Sequence, residues 1–208
     1  RLGLVTLEYK SSNGTDLRVG LLPDADFMGG GENDLKGHYY NPNIPSEEIF
    51  TTPRAGDADG IVYATKPLSY QGQLIENFSV RFENGKVVEV KAEKNQELLE
   101  KMVSMDEGAA MLGECALIAY DSPINNLGIL FYNTLFDENA SCHLALGRGF
   151  SNCVRGYEDM TNEQLKEHGI NDSMIHVDFM IGSKDLSITG ITAKGERVAI
   201  FKDGNWAF

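Results

Sequence analysis

Residues 174–182 read MIHVDFMIG, and their alternation of side chains predicts a β-strand with one face in the protein core. The apolar face recurs at the two-residue period of a strand and comprises Ile175, Val177, Phe179 and Ile181. His176 and Asp178 therefore share the opposite face. The spacing leaves three interpretations open: a hydrogen-bonded core pair, a solvated sheet face, or neighbouring ligands of one metal ion.

The composition describes a folded, acidic protein. Of the 208 residues, 42% are hydrophobic and 24% are charged, which is enough core for one large domain or two small ones. The chain has 18 basic and 31 acidic residues, for a formal net charge of −13. Binding to nucleic acid is disfavoured because phosphate backbones need clustered positive charge. A cation-binding protein is compatible with this balance.

The cysteines and the apolar runs bear on location. Cys115, Cys142 and Cys153 are odd in number and lack a disulfide-framework spacing, which predicts a reducing, cytoplasmic compartment. No apolar run approaches the roughly 18 residues of a spanning helix, so we expect no membrane association. The first ten residues, RLGLVTLEYK, lack signal-peptide features, which also favours the cytoplasm. Residue 1 is arginine rather than methionine and the chain enters a strand pattern directly, so we expect a segment of a longer protein.

Turn signals between alternating segments predict an α+β fold with a mixed, largely antiparallel sheet, hairpins and a few packing helices. Asn13-Gly14 and Asn84-Gly85 predict two hairpins, and Thr161 with Gln164 predicts a capping box. Strands are predicted at 2–9, 17–22, 60–65, 77–82, 86–92, 114–120, 128–132, 174–182, 186–192 and 197–202, and helices at 95–103, 136–147 and 162–168. The glycines at 29–31 lack the strand-then-helix context of a phosphate loop and predict flexible or tightly turned backbone.

Several acids and histidines lie at the edges of apolar elements. Glu114 opens a strand on its buried stripe, where a carboxylate must be neutralised, paired or coordinated, unless it bends into water. Glu138 has a structural explanation at a helix N-terminus, whereas His143 lies in a partly buried segment. The collected candidates are Glu48, Glu114, Glu138, His143, His176 and Asp178. Mixed oxygen and nitrogen ligands of this kind suit Zn²⁺, Co²⁺ or Mn²⁺.

The motifs NIPSEEIFTTP, DEGAAMLGECALI, FDENASCHLALG and HVDFMIGS resemble those of the two-metal aminopeptidases typified by aminopeptidase T, aminopeptidase S and PepS. The resemblance runs through nearly the whole chain and corresponds to the family's C-terminal, metal-binding half. It implies that residues 1–208 form the C-terminal catalytic domain of a longer aminopeptidase, whose N-terminal α/β domain is absent from this chain. It also implies a homodimer.

The resemblance further implies two divalent ions held by the six candidates, with Glu114 bridging them. It implies release of N-terminal residues from a peptide substrate by water activated at the two metals, with Glu114 or Glu48 relaying the proton. An alternative is a catalytically impaired fragment that acts as a binding or oligomerisation module. A two-metal phosphatase is disfavoured because few basic residues lie near these motifs.

One position departs from the family pattern. Members commonly carry a tyrosine of the active site where this chain has Phe150, in HLALGRGF. A phenyl ring cannot donate a hydrogen bond, so either activity is reduced or a neighbour such as Tyr157 compensates.

Overall fold

The computed structural model describes residues 2–208. The strands are β1 (Leu4–Lys10), β2 (Asp16–Leu21), β3 (Met28–Gly29), β4 (Glu32–Asn33), β5 (Tyr39–Tyr40), β6 (Ile49–Thr51), β7 (Pro53–Tyr63), β8 (Leu68–Tyr70), β9 (Gln73–Glu83), β10 (Lys86–Lys94), β11 (Leu112–Leu117), β12 (His143–Gly147), β13 (His176–Met180), β14 (Ser187–Thr192), β15 (Arg197–Lys202) and β16 (Asn205–Trp206). The α-helices are α1 (Gln96–Val103), α2 (Pro123–Asn126), α3 (Thr134–Asp137) and α4 (Asn162–His168). No helix within residues 2–208 has the length and apolarity needed to span a bilayer.

The strands form antiparallel sheets, which confirms the predicted α+β class. Within the described residues, nine strands form one sheet in the order β10-β9-β7-β2-β1-β14-β15-β16, with β8 paired to β9. Five strands form a second sheet in the order β13-β12-β11-β6-β3, and β4 pairs with β5. Both predicted hairpins are present, as β1 pairs with β2 and β9 pairs with β10. Asn84 and Gly85 have φ of 50° and 78°, which is the turn that such a hairpin favours.

The two larger sheets share one hydrophobic core. From the five-stranded sheet, alternate residues such as Leu144, Leu146 and Phe179 enter the same buried cluster as residues of the nine-stranded sheet. The rings of Phe78 and Phe179 meet across this core with centroids 5.7 Å apart. Because one face of the five-stranded sheet is used for the core, its other face is available for polar residues.

The predicted helix at 136–147 is wrong in its second half. Helix α3 ends at Asp137, a 3₁₀ turn follows at Glu138–Ala140, and β12 begins at His143. The leucines and alanines of this segment have high helix propensity, but β12 pairs with β11 on one side and β13 on the other. Tertiary pairing therefore overrides the local preference.

The predicted strand at 128–132 is also wrong. Within the described residues this segment forms no strand, and Ile129 and Tyr132 are 51% and 66% exposed. Tyr132 adopts a positive φ of 58°, which is incompatible with extended backbone. An apolar run thus indicated a strand where the chain forms a surface loop.

Asp106 fixes the start of β13, the strand that carries His176. Its Oδ1 accepts hydrogen bonds from the Ala109 N–H at 2.8 Å and the Ser173 hydroxyl at 2.9 Å. Its Oδ2 accepts from the Met174 N–H at 2.7 Å. The Met174 N–H is the main reason that the pKa of Asp106 lies below its usual value.

We predict that Asp106→Asn lowers the free energy of unfolding by about 1 kcal/mol near neutral pH, because an amide cannot accept all of these bonds. The folded-state pKa is depressed, so the carboxylate's contribution is complete above the unfolded pKa of about 3.9 and is lost as the pH falls further. Urea denaturation over a pH series should therefore show the variant and the wild type converging in acid. Glu158→Gln, at an exposed position, is the control. If the difference in unfolding free energy between Asp106→Asn and the wild type did not change with pH, this role of the Asp106 carboxylate would be contradicted.

Candidate metal centre

The pairing register gathers the candidate residues on one face of the five-stranded sheet. Residues directly opposite each other in antiparallel strands share a face. Ala145 of β12 lies opposite Glu114 of β11 and Asp178 of β13, so these three side chains form a row across the strands. His143 and His176 are each two residues from a member of this row and therefore lie on the same face. The neighbouring strands thus bring Glu114 and His143 to the face that carries His176 and Asp178.

Glu48 reaches this face from the segment before β6. Ala116, which shares the face of Glu114, lies opposite Phe50, and Glu48 is two residues before Phe50. The Oε1 atom of Glu48 lies 3.0 Å from Nε2 of His143. A residue remote in sequence therefore completes one side of the cluster.

Two groups of three residues converge closely enough to hold a metal ion. Glu48, Glu114 and His143 form one group, and Glu114, His176 and Asp178 form the other, with the candidate ligand atoms of each group within 4.8 Å of one another. In the second group, Nε2 of His176 lies 3.2 Å from Glu114 Oε2 and 3.3 Å from Asp178 Oδ1. Glu114 belongs to both groups, so its carboxylate lies close to the candidate ligand atoms of each.

Both imidazoles are oriented by backbone carbonyl groups. His143 Nδ1 lies 3.1 Å from the Ser141 carbonyl oxygen, and His176 Nδ1 lies 2.7 Å from that of Arg148. A carbonyl oxygen only accepts, so each Nδ1–H donates and Nε2 of each ring faces the carboxylates. Histidines that bind a metal typically donate their other ring N–H in this way, which fixes the orientation of the ring.

The donor set fits a divalent cation. His143 Nε2 and Asp178 Oδ1 are buried and have no hydrogen-bond partner among the described residues. Glu48 Oε1 is close to His143 Nε2 but is not aligned for a hydrogen bond. Buried polar atoms without partners are costly, and a cation would pair with both.

The pKa values reflect the crowding of charges. Burial raises the pKa of Glu114 to about 7, and burial together with the Asp178 charge raises that of Glu138 to about 9. Burial opposes protonation of the imidazoles, but the facing carboxylates outweigh it and raise the pKa of His143 to about 10 and of His176 to about 11. Burial would also raise the pKa of Asp178, yet His176 holds it well below its usual range. Protons thus balance the carboxylates here, and bound metal ions would replace them.

Glu138 lies beside the two groups and is held by an asparagine. Its Oε1 accepts a hydrogen bond from Asn43 Nδ2 at 2.7 Å. The Asn43 Oδ1 accepts from the Ile44 N–H at 2.6 Å and from Asn139 Nδ2 at 3.2 Å, which fixes the amide so that its NH₂ faces Glu138. Sequence reasoning missed Asn43, because an asparagine in a loop carries no spacing that would mark it.

The centre opens into a cavity of about 540 Å³. Its lining includes Glu48, Glu114, Glu138, His176 and Asp178 together with Met28, Gly29, Gly30, Gly31, Phe50, Tyr70, Leu135 and Phe150. All six sequence candidates thus come together, five on the cavity wall and His143 fully buried behind Glu48.

Aromatic side chains form part of the cavity wall. The Phe150 ring lies 4.8 Å from the His176 ring and 5.0 Å from the Phe50 ring, measured between centroids. Phe150 therefore packs directly against a candidate ligand. Tyr157, the residue considered as a substitute for the family tyrosine, instead packs with Leu22 and its neighbours in a separate apolar cluster.

Comparison with known proteins connects this site to a family. Residues 1–206 match the family described as thermophilic metalloprotease (M29). Aminopeptidase AmpS of Bacillus subtilis is 52% identical over 202 residues, which cover 97% of this chain and 49% of that protein. Aminopeptidase T of Thermus aquaticus is 44% identical over 193 residues, which cover 93% of this chain and 47% of that protein.

The fold agrees with these matches. The structure of wild-type AmpT from Thermus thermophilus superposes with a TM-score of 0.90 at 40% identity and covers 99% of this chain and 50% of that one. The chain spans about half the length of the curated relatives that it matches. With the family match extending through nearly all of its residues, the chain belongs to the M29 metalloproteases and is homologous to their aminopeptidases.

Proposed function

We propose that this protein is a metal-dependent aminopeptidase that releases the N-terminal residue of peptides. The observation that carries the proposal is that Glu114 belongs to both groups of converging ligand atoms, so one carboxylate can bridge two ions. The relatives named as aminopeptidases support the reaction class. The chain spans only half of their length, so the activity of the whole protein is part of the proposal. The homodimer and the cytoplasmic location expected from the sequence stay predictions.

The ligand assignment follows the two groups. Glu48, Glu114 and His143 would hold one ion, and Glu114, His176 and Asp178 the other, with Glu138 beside Asp178. The mixture of carboxylates and imidazoles suits Zn²⁺, Co²⁺ or Mn²⁺. When bound, such ions supply the Lewis acidity that polarises a peptide carbonyl and makes water reactive at neutral pH.

The side chains of the chain itself would move protons and exclude water. Glu48 and Glu114 are the candidates for carrying a proton from the attacking water to the leaving amine nitrogen. Glu48 is the better placed, because Glu114 is shared between the two groups while Glu48 belongs to one and its side chain is more exposed, at 10% against 5%. Phe50 and Phe150 would keep bulk water from the reacting groups.

We predict that Glu114→Gln reduces both metal content and turnover, because an amide bridges two cations poorly. Elemental analysis of the full protein should give close to two ions for the wild type and fewer for the variant, and hydrolysis of Leu-p-nitroanilide should be abolished. Glu47→Gln, an exposed acid beside Glu48, is the matched control and should retain both properties. Normal turnover by Glu114→Gln would exclude the assignment.

We predict that Asn43→Ala weakens metal binding about tenfold, because Glu138 loses the donor that orients it. Asn43→Asp also removes the donor, since a carboxylate has no N–H to offer Glu138. Calorimetric titration with Mn²⁺ and the absorption spectrum of the Co²⁺ form measure the effect without turnover. Asn41→Ala, at an exposed position in the same segment, should leave the Mn²⁺ affinity and the Co²⁺ spectrum unchanged. If the wild type and all variants bound metal with equal affinity, Asn43 would have no role in metal binding.

Phe150 favours the alternative that this protein is a catalytically impaired member used for binding or assembly. If the missing hydroxyl limits the reaction, Phe150→Tyr should raise kcat on Leu-p-nitroanilide by on the order of 10²–10³. Tyr157→Phe should leave kcat unchanged, because Tyr157 packs in the separate apolar cluster. If Phe150→Tyr did not raise kcat and Tyr157→Phe lowered it, Tyr157 would be the residue that compensates for the missing hydroxyl. Full metal uptake without hydrolysis by either protein would favour the binding module.

A further inference from the structure

A buried asparagine joins the three strands that carry four of the candidate ligands. Asn171 is 3% exposed and lies five residues before His176, the first residue of β13. Its Nδ2 donates to the Gly147 carbonyl oxygen at 2.6 Å, at the end of β12. The same Nδ2 donates to the Gly108 carbonyl oxygen at 2.8 Å, in the 3₁₀ turn before β11. One amide group thus connects three separate parts of the chain.

The turn at residues 147–149 is fixed by hydrogen bonds from both sides. The Gly149 N–H donates to the backbone carbonyl oxygen of Asn171 at 2.9 Å, and the Arg148 N–H donates to that of Ile175 at 2.7 Å. The Arg148 carbonyl and the Gly149 N–H belong to one planar peptide group, so a bond to one of them also sets the direction of the other. Asn171 therefore holds the turn through its side chain at Gly147 and through its backbone at Gly149.

The Arg148 carbonyl group orients a candidate metal ligand. His176 Nδ1 donates to this oxygen at 2.7 Å, and Nε2 of the same ring faces Glu114 and Asp178. The carbonyl also lies against the backbone of β11, since a Cβ atom added at Gly113 would be 2.2 Å from the Arg148 oxygen. A shift of the turn would therefore turn the imidazole ring away from the two carboxylates.

The amide of Asn171 suits this role better than the other polar side chains of its size. Its NH₂ group supplies two N–H donors for two carbonyl oxygens. An aspartate has the same shape but would place acceptor oxygens against those carbonyl groups. Asn171 is not among the described residues that line the metal cavity, so an effect on a bound ion would pass through His176.

We propose that Asn171 is a positioning residue of the metal centre. By holding the turn at 147–149, it directs Nε2 of His176 towards the ion that Glu114 and Asp178 would also bind. This inference rests on the metal centre of the proposed function and adds to it a residue that binds neither metal nor substrate.

Loss of the Asn171 amide should affect the two ions unequally. The ring of His143 is oriented by the Ser141 carbonyl group, which lies outside the turn at 147–149. The ion bound by His143 should therefore keep its affinity. The ion bound by His176 should bind about 10- to 100-fold more weakly, which is the usual cost of losing a group that orients a ligand.

The first test is a titration of the metal-free full protein with Co²⁺, followed by visible absorption. Asn171→Ala and Asn171→Asp should bind one ion as the wild type does and the second more weakly, with a changed spectrum. Thr192→Ala is the control, because Thr192 is also buried and its Oγ1 accepts from the backbone N–H groups of Lys194 and Glu196 in the nine-stranded sheet. This control should lose stability without any change in Co²⁺ binding. Asn171→Ser gives the same comparison if the alanine variant does not fold.

The second test observes the imidazole directly and needs no metal. In protein labelled with ¹⁵N-histidine, the Nδ1–H of His176 should give an NMR resonance that is protected from exchange with water, because it is hydrogen-bonded to the Arg148 carbonyl oxygen. His176→Gln assigns this resonance by removing it. Its protection should persist in Thr192→Ala and be lost in Asn171→Ala.

Equal Co²⁺ binding by Asn171→Ala and the wild type, or equal weakening of both ions, would overturn the role of Asn171. A wild type that bound no ion would remove the proposed function, and the protection of the His176 resonance would still decide whether Asn171 holds the ring. Hydrolysis of Leu-p-nitroanilide, measured in parallel, reports on the proposed function alone. Selective weakening of one ion without turnover by the wild type would support Asn171 while removing the aminopeptidase assignment.

Discussion

The burial of several carboxylates on one sheet face is the constraint on which this structure depends. Glu114 and Asp178 are 4% and 5% exposed, and His143 is fully buried between them and Glu48. Each buried ion costs on the order of several kcal/mol unless it is compensated. The imidazoles, held with Nε2 towards the acids, provide part of that compensation, and divalent cations would provide the rest. Strands β11, β12 and β13 hold this arrangement because their other face, which includes leucine, valine and phenylalanine, packs into the shared core.

The sequence predicted the parts of the fold that are governed by local rules. Asn-Gly turns marked the hairpins, and the alternation in 174–182 identified β13 with its two polar residues. The segment at 136–147 failed because its leucines and alanines suit a helix, and only pairing with strands remote in sequence makes it β12. The ligand set came from family resemblance, since spacing alone left His176 and Asp178 with three interpretations. Neither spacing nor family resemblance identified Asn43, because its place at the site depends on hydrogen bonds with Glu138 and Asn139, which lie far along the chain.

One loop serves several purposes at this centre. Residues 41–48 carry Asn43, which orients Glu138, and end with Glu48, which faces His143. The same loop leads into β6, the partner of the exposed edge strand β3. Ligand geometry and the cavity wall are thus linked through a short stretch of backbone. A substitution in this loop would therefore alter both metal affinity and access to the cavity.

The candidate ligands come from the segments before β6 and within β11, β12 and β13, together with the 3₁₀ turn after α3. Ions bound there would link distant parts of the chain, whose three cysteines form no disulfide bonds. Only the folded state gathers these donors, so the free energy of metal binding adds to the free energy of folding. Metal starvation in the cell would then shorten the lifetime of the protein itself, because a chain that opens more often is cut more often by proteases.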